Sequence, residues 1–218
     1  MEALDQDRVR RFYDRFGRKQ DKQGFYEGAA LERLADLGGF KAAGSVLEVG
    51  CGTGKFAAHL LTDRLPATAC YVGIDISPTM VSFASERLAP WRDRVRICRS
   101  DGGFDFSSYG SEFDRVVFTY VFDLMGDDQI AQALSGARAA LRGGGFLCSA
   151  GLTRGKGLFS RMTCGIWNAI HRLNPYLVGG CRPLVLVNRL AGSDWRIVHR
   201  ETVVQATIPS EVLIAEKI

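Results

Sequence analysis

Apolar positions change their spacing several times along the chain, and each change marks an element. Before residue 45 the spacing is helical. Val9, Phe12, Tyr13 and Phe16 form one stripe that stops at Gly17, and Leu31, Leu34 and Leu37 form a second that stops at Gly38-Gly39. From Ser45 onward, short apolar runs alternate with helical ones. Ser45–Val49, Cys70–Ile74, Val95–Cys98, Phe113–Thr119 and Phe146–Ala150 read as strands. Thr53–Leu61 puts Phe56, Ala57, Leu60 and Leu61 on one helical face. Ser77-Pro78 supplies an N-cap and a first-turn proline to a helix with Met80, Val81, Ala84 and Leu88, which Pro90 stops. Asp127 is the expected cap of a helix bearing Ile130, Leu134, Ala137 and Leu141, ended by Gly143-Gly144-Gly145. Strands apolar on both faces and separated by helices predict a parallel, doubly wound sheet covered on both sides. Trp195–Val204 and Glu211–Ile218 are joined by Ala206–Ser210, too short for a parallel crossover, so they predict an antiparallel edge hairpin.

Composition narrows the class. With 218 residues, 46% of them hydrophobic and 10% aromatic, the chain suits a single folded domain over 1–218 rather than a disordered or fibrous one. Its net charge of +4 is mild, and there is no aromatic stacking motif or long basic run, so no nucleic-acid partner is expected. The first 22 residues are rich in charge and lack the apolar core of a secretory signal, and no run approaches the roughly 20 apolar residues of a membrane span. A cytoplasmic location is the expectation. Cys51, Cys70, Cys98, Cys148, Cys164 and Cys181 form no C-x-x-C pair, and His59, His171 and His199 lack ligand spacing. Buried thiols and no metal are expected.

The most specific segment is Glu48-Val49-Gly50-Cys51-Gly52-Thr53-Gly54, between the first strand and its helix. Glycines there let the backbone turn sharply and approach a ligand at the carboxyl end of the strand. Asp75 ends the second strand, where a carboxylate can accept both hydroxyls of a ribose, and Ser100-Asp101-Gly102 brings another carboxylate to the same crevice. A dinucleotide fingerprint would read G-x-G-x-x-G, whereas this loop reads G-x-G-x-G, with Lys55 at the third fingerprint position. Glu48 beside the loop would repel a diphosphate and suits an ammonium or sulfonium. A tight turn that merely packs is the alternative without a ligand.

On these residues the chain resembles the class I S-adenosylmethionine-dependent methyltransferases. Within them it is similar to the subgroup with ubiquinone/menaquinone and phospholipid headgroup methyltransferases. The resemblance runs from about residue 45 to the end, and V-L-E-V-G-C-G-T-G is its most specific part. It implies a mostly parallel seven-stranded Rossmann-like sheet with an antiparallel C-terminal edge hairpin. Residues 1–40 would be a helical lid, 45–150 a cofactor-binding half and 151–218 a substrate-side half. It also implies S-adenosyl-L-methionine as cofactor. Glu48, Gly50, Cys51, Gly52 and Gly54 would line its methionine part, and Asp75 would hold the ribose. Ile76 and Met80 would flank the adenine, and Asp101 with Gly102 would meet its amino edge. Thr119, within Phe118-Thr119-Tyr120, would separate cofactor from acceptor.

Methyl transfer is an in-line displacement that needs chiefly positioning and water exclusion, so the lid matters. Tyr13, Gln20, Tyr26, Phe12 and Phe25 are its candidate residues. Tyr13, with Asp123 after the fourth strand and His171, completes the catalytic candidates. Residues 151–200 hold eight basic side chains and one acid, a net +7 that leaves −3 for the rest. Leu158, Phe159, Met162, Ile166, Trp167 and Ile170 share a helical face there, with Arg161 and Arg172 on the other. The segment predicts a small-molecule or lipid acceptor, apolar or anionic, and peripheral contact with an anionic membrane. A non-catalytic protein that keeps the fold for regulation or assembly is the alternative from another class, and an NAD-dependent oxidoreductase a third.

Overall fold

The computed structural model describes Arg10, Arg11, Asp14 and residues 24–155, 157–173, 181–190 and 194–218. Seven strands form one sheet: β1 (Ser45–Val49), β2 (Cys70–Asp75), β3 (Val95–Arg99), β4 (Phe113–Thr119), β5 (Leu141–Leu152), β6 (Trp195–Gln205) and β7 (Ile208–Lys217). Their order is β3-β2-β1-β4-β5-β7-β6. The first five are parallel, and β7 pairs antiparallel with both β5 and β6. The expected sheet and hairpin are therefore present. Six α-helices accompany the strands among the described residues: α1 (Gly24–Leu37), α2 (Lys55–Asp63), α3 (Pro78–Arg87), α4 (Asp127–Ala140), α5 (Leu158–Leu173) and the one-turn α6 (Val187–Leu190).

Alternation along each strand builds a core on both faces. Val46, Tyr71, Val117 and Ile214 pack under α1 and α2, while Leu47, Ile74, Val116, Phe118 and Leu213 pack under α4. The inner strands β1 and β4 are buried along most of their length, whereas the edge strand β3 is partly exposed. The order reverses on either side of β1, with β2 to one side and β4 to the other, and a crevice opens at that point beyond the strand ends.

Several local expectations differ from the structure. The helix after β4 begins at Asp127, but Gly126 holds the cap position and donates its N–H to Gln129 Oε1 at 3.0 Å. Asp127 instead lies in the first turn and pairs with Arg189 at 2.7 Å. That helix ends at Ala140, so the three glycines do not terminate it. They lie in β5, where the register jumps from Phe113↔Leu141 to Arg115↔Phe146 and Gly144 takes φ +71°. The hairpin turn is only Ala206-Thr207, both left-handed, with β7 starting at Ile208. Between β5 and β6, Cys181–Val185 carries no helix or strand, and the helix that follows is the single turn Val187–Leu190. On α5 the buried side is Ser160, Cys164 and the half-buried Trp167, while Met162 is exposed, so Met162 is not on the packed face. Of the thiols, Cys70 is exposed rather than buried.

The second N-terminal helix, α1, covers the β5–β7–β6 end of the sheet on one face. Ala29 donates its N–H to Gln205 Oε1 at 2.7 Å, and Arg33 pairs with Glu201 at 2.8 Å. Its exit turn is fixed by Arg115 of β4, whose side chain is buried. The guanidinium donates to Gly38 O at 2.6 Å and Gly39 O at 2.7 Å and lies 4.5 Å over the Phe146 ring. The first N-terminal stripe, with Phe12, Tyr13 and Phe16, and Gln20 after it, lies outside the described residues; Arg10, Arg11 and Asp14 are helical.

Arg115→Ala leaves the buried Gly38 O with only the weak Cys148 thiol donor and takes one of two donors from Gly39 O, which keeps Ala42 N–H. It is expected to lower the unfolding free energy by about 3 kcal/mol, and Arg115→Lys to recover only part of that. Denaturant titration measures both. An alanine variant within about 0.5 kcal/mol of the parent contradicts the anchoring role.

Candidate functional site

The crevice is built outward from the end of β1. In register, Glu48 lies between Gly73 of β2 and Val117 of β4, and Val49 between Ile74 and Phe118. The chain then leaves the strand through three left-handed glycines, Gly50 (φ +73°), Gly52 (φ +52°) and Gly54 (φ +73°). Gly50 N and Cys51 N both donate to Ile74 O, at 2.8 and 3.0 Å, and Gly54 N donates to Cys51 O at 2.9 Å. A Cβ on Gly50 would stand 2.4 Å from Val121 Cγ2, so glycine is required there by space as well as by φ. Gly54 lets α2 start against Ala84 of α3.

Asp75 closes the loop from the neighbouring strand. Its Oδ2 accepts from Gly52 N and its Oδ1 from Ser77 N, each at 2.9 Å. Burial pushes its carboxyl up to about 6, against the downward pull of those backbone donors. Ser77 caps α3 by accepting from Met80 N at 3.2 Å and donates its own proton to Asp14 Oδ1 at 2.6 Å. The N-terminal segment thus reaches this side of the crevice at Asp14.

Glu48 is buried on the α1–α2 face. Tyr71, two residues before its β2 neighbour, donates to Glu48 Oε2 at 2.6 Å. Thr119, two residues beyond its β4 neighbour, donates to Oε1 at 3.4 Å. The period of two along each strand brings all three to one face. Desolvation outweighs these donors and pushes the Glu48 carboxyl up to about 8. A cation placed here would restore the charge.

The crevice has a volume of about 410 Å³, within the ~300–1,000 Å³ of small-molecule sites. Of the expected cofactor residues, Glu48, Gly50, Cys51, Gly52, Asp75, Ile76, Gly102 and Thr119 line it. Gly54 sits behind it as the helix cap. Met80 does not face it: the side chain is 1% exposed, in the core beneath α3. Asp101 does not face it either. That side chain is exposed and its Oδ1 accepts from Gly103 N at 2.8 Å, while Ser100, Gly103 and Phe104 take the lining positions.

The catalytic candidates fare differently from one another. Asp123 is fully buried, and its Oδ2 accepts from Leu152 N at 2.7 Å. Burial raises its carboxyl well above the usual range, and it ties the end of β4 to the end of β5 without facing the crevice. It is a structural carboxyl and not a base at the acceptor. Tyr13 and the side chain of His171 lie outside the described residues. Phe118 stacks on Phe122 at 4.4 Å on the opposite face, leaving Thr119 and Tyr120 to line the crevice. Tyr120 takes φ +56°, a strained value for a tyrosine, and its hydroxyl is 2.8 Å from Ser210 Oγ.

Several lining residues were missed from the sequence, among them Lys55, His59, Gln129 and Glu27. Glu27 of α1 faces the crevice, half-buried, beside Gly28 and Leu31. Desolvation pushes its carboxyl up to about 7, with Tyr26 and Lys55 pulling the other way. The available signal was an acid framed by Phe25-Tyr26 and Gly28-Ala29-Ala30, too small and apolar a setting for a solvated charge. Of the other lid candidates, Tyr26 is buried with its ring edge toward Tyr120 at 5.9 Å, and Phe25 is exposed.

The charge excess of 151–200 is partly balanced in space. Arg182 and Arg189 pair with Asp127, Arg196 with Glu216 and Arg200 with Glu211, all acids outside that segment. Among the described residues no helix is long and apolar enough to cross a membrane, and no group of His, Cys, Asp and Glu is arranged to hold a metal ion.

Comparison with known proteins agrees with this geometry. A model of the "Methyltransferase domain" family matches residues 46–145. A malonyl-(acyl-carrier protein) O-methyltransferase from Marinomonas sp. (strain MWYL1) is 31% identical over 86 residues, which are 39% of this chain and 31% of that protein, so the chain matches about a third of its relative's length. Among solved structures, the N-methyltransferase NodS from Bradyrhizobium japonicum WM9 with S-adenosyl-L-homocysteine has TM-score 0.62 at 21% identity, covering 92% of this chain and 86% of that one. Magnesium protoporphyrin IX methyltransferase from Synechocystis PCC 6803, also with bound S-adenosylhomocysteine, has TM-score 0.63 at 16% identity, covering 100% and 90%. Residues 46–145 are thus similar to a methyltransferase domain, and the sheet order and the glycine loop bound to the end of β2 agree with that match.

Proposed function

We propose that the protein transfers a methyl group from S-adenosylmethionine to a small-molecule acceptor bound in the same crevice. The observation that carries this is the pairing of the Gly50–Gly54 turn with two crevice carboxylates, Glu48 and Asp75, on adjacent strands. A phosphate ligand would meet Glu48 as a repulsion, whereas a ligand with an ammonium, a sulfonium and a ribose finds an acid for each kind of group. Asp75 keeps acceptor capacity beyond its two backbone donors and is placed to take ribose hydroxyls. Ile76, beside it, offers an apolar edge to the base.

When bound, the cofactor supplies a methyl group on a positively charged sulfur. The chain positions the reactants and excludes water. Asp75 and Ile76, at the β2 end of the crevice, would hold the nucleoside, and Thr119 and Tyr120, at the β4 end, would stand beside the transferring methyl. α1 roofs that end with Glu27, Gly28 and Leu31. Such positioning alone is worth roughly 7–11 kcal/mol of barrier in well-oriented systems. The relatives named above act on different acceptor atoms, one as an O-methyltransferase and one as an N-methyltransferase, so likeness does not choose the acceptor.

Calorimetric titration with S-adenosylmethionine and S-adenosylhomocysteine tests the reading. Both are expected to bind, and Asp75→Ala to weaken both by about tenfold or more while the far-ultraviolet spectrum is retained. Binding of neither ligand contradicts methyl transfer, and unchanged affinity in the variant removes Asp75 from the ribose site.

The raised Glu48 carboxyl gives a pH signature with a defined sign. A cationic ligand favours the ionised form, so affinity is expected to rise as pH increases toward about 8, by up to ~tenfold per pH unit, and to level off above it. Without ligand the sign is opposite for folding. The folded carboxyl holds its proton up to about 8 and the unfolded one releases it near 4.5, so this group's contribution to stability falls as pH rises between those values. Glu48→Gln is expected to flatten both dependences. Parallel pH series of affinity and denaturation midpoint check this, and an unchanged slope in the variant assigns the dependence to another group.

A further inference from the structure

We propose that Glu27 is the acceptor-recognising carboxylate of this site and that the acceptor is an amine carried on an apolar body. This rests on the methyl-transfer reading and deepens it. Glu27 lies on α1, the helix fixed across the β5–β7–β6 end by Gln205 and Glu201, and it projects into the crevice on the β4 side, away from Asp75 on β2. The cofactor acids, Glu48 and Asp75, belong to the strand ends below, and Glu27 comes from the roof. It is therefore not needed by the same ligand groups.

The surroundings define what an acceptor must offer. Around the β4 end of the crevice stand Leu31, Tyr120, Val121, Leu124 and Met125, a mostly apolar wall. The Tyr26 ring meets Tyr120 edge-on at 5.9 Å and Trp167 at 6.2 Å, and this aromatic block holds the first turn of α1 in place. The charged and titratable groups that interact with Glu27 are Tyr26 on its own helix, Lys55 on α2, and Tyr120 and the buried Asp123 after β4. Of these only Lys55 is a cation, and its pull on Glu27 is smaller than the effect of burial. Burial also holds Tyr26, Tyr120 and Asp123 toward their neutral forms. A half-buried carboxylate in such a setting gains most from a hydrogen-bond donor that carries positive charge. An acceptor carboxylate would meet Glu27 and Glu48 as like charges.

An amine also gives Glu27 a proton to take. The bound ammonium first gives one N–H proton to the Glu27 carboxylate, which passes it to water, and this frees the nitrogen lone pair. That pair forms the new bond to the methyl carbon, the carbon–sulfur bond breaks with its electron pair remaining on sulfur, and the methylated nitrogen is again cationic. A carboxylate acceptor has no such proton to lose. Glu27 is poised for this transfer, since its carboxyl sits near neutrality.

The test uses the full chain loaded with S-adenosylhomocysteine and three probes of matched shape: phenethylamine, phenethyl alcohol and phenylacetate. Calorimetry is expected to show phenethylamine binding at least about tenfold more tightly than the other two, with the preference lost in Glu27→Gln. S-adenosylhomocysteine affinity is expected to stay within about twofold in that variant, which separates acceptor recognition from the cofactor site. With methyl-labelled S-adenosylmethionine and a mixed panel of amines, alcohols and carboxylates, label is expected in N-methyl products. The rate is expected to rise with pH through about 7 in the parent and to lose that limb in Glu27→Gln. Equal binding of the three probes, preference for phenylacetate, label in esters or ethers, or an unaltered pH limb in the variant overturns the proposal. Failure of the parent to bind S-adenosylhomocysteine overturns the methyl-transfer reading beneath it, a result distinct from any of these.

Discussion

Three backbone N–H groups, of Gly50, Cys51 and Gly52, are satisfied by the end of the adjacent strand: two by Ile74 O and one by the Asp75 carboxylate. The rest of the site depends on this junction. Parallel pairing of β1 with β2 brings Ile74 level with Val49, so the first residues past β1 find a carbonyl within reach. The turn that uses it needs left-handed backbone at Gly50, Gly52 and Gly54, and the bare Cα of Gly50 leaves room for Val121 beyond β4. Three consecutive strands, β2, β1 and β4, are thereby locked together at their carboxyl ends. The ligand groups on them, Asp75, Glu48 and Thr119, keep fixed relative positions for that reason.

The crevice is built at some cost to stability. Burial lifts Glu48, Asp75 and Glu27 to about 8, 6 and 7, each above the ordinary carboxylate range. A fold can tolerate such groups when the apolar layers on both faces of the sheet supply the stability, as the fully buried Leu47, Val116, Val117 and Leu213 do here. Each raised carboxyl is a place where a bound cation gains more than it would at the surface. The strained Tyr120 at the end of β4 belongs to the same pattern of local cost at a functional cleft.

The parallel strands were legible because burial on both faces writes an unbroken apolar run. Ser45–Val49 and Phe113–Thr119 begin and end where that run does. The loop was legible for a similar reason, since left-handed backbone leaves few alternatives to glycine. What failed was orientation. Ile76 and Met80 straddle the start of the same helix, and only the rotation of α3, set by its Ser77 cap and the contact of Ala84 with Gly54, decides that Ile76 lines the crevice and Met80 the core. Asp101 turned to its own loop, because a carboxylate two residues before a backbone N–H closes a local ring more readily than it reaches a distant ligand. Glu27 could not be placed from its neighbours, because α1 is fastened by Gln205, which is 176 residues from Ala29 in sequence. Charge counted along 151–200 misled for the same reason: its arginines find acids that are distant in sequence and near in space.

A crystal structure of the complex with S-adenosylhomocysteine tests the central claim most directly. The ribose hydroxyls are expected on the Asp75 carboxylate, the amino-acid end beside Glu48 and the Gly50–Gly52 backbone, and the thioether sulfur toward Thr119 and Tyr120. S-adenosylhomocysteine bound away from the end of β1, or with its ribose out of reach of Asp75, would contradict the account.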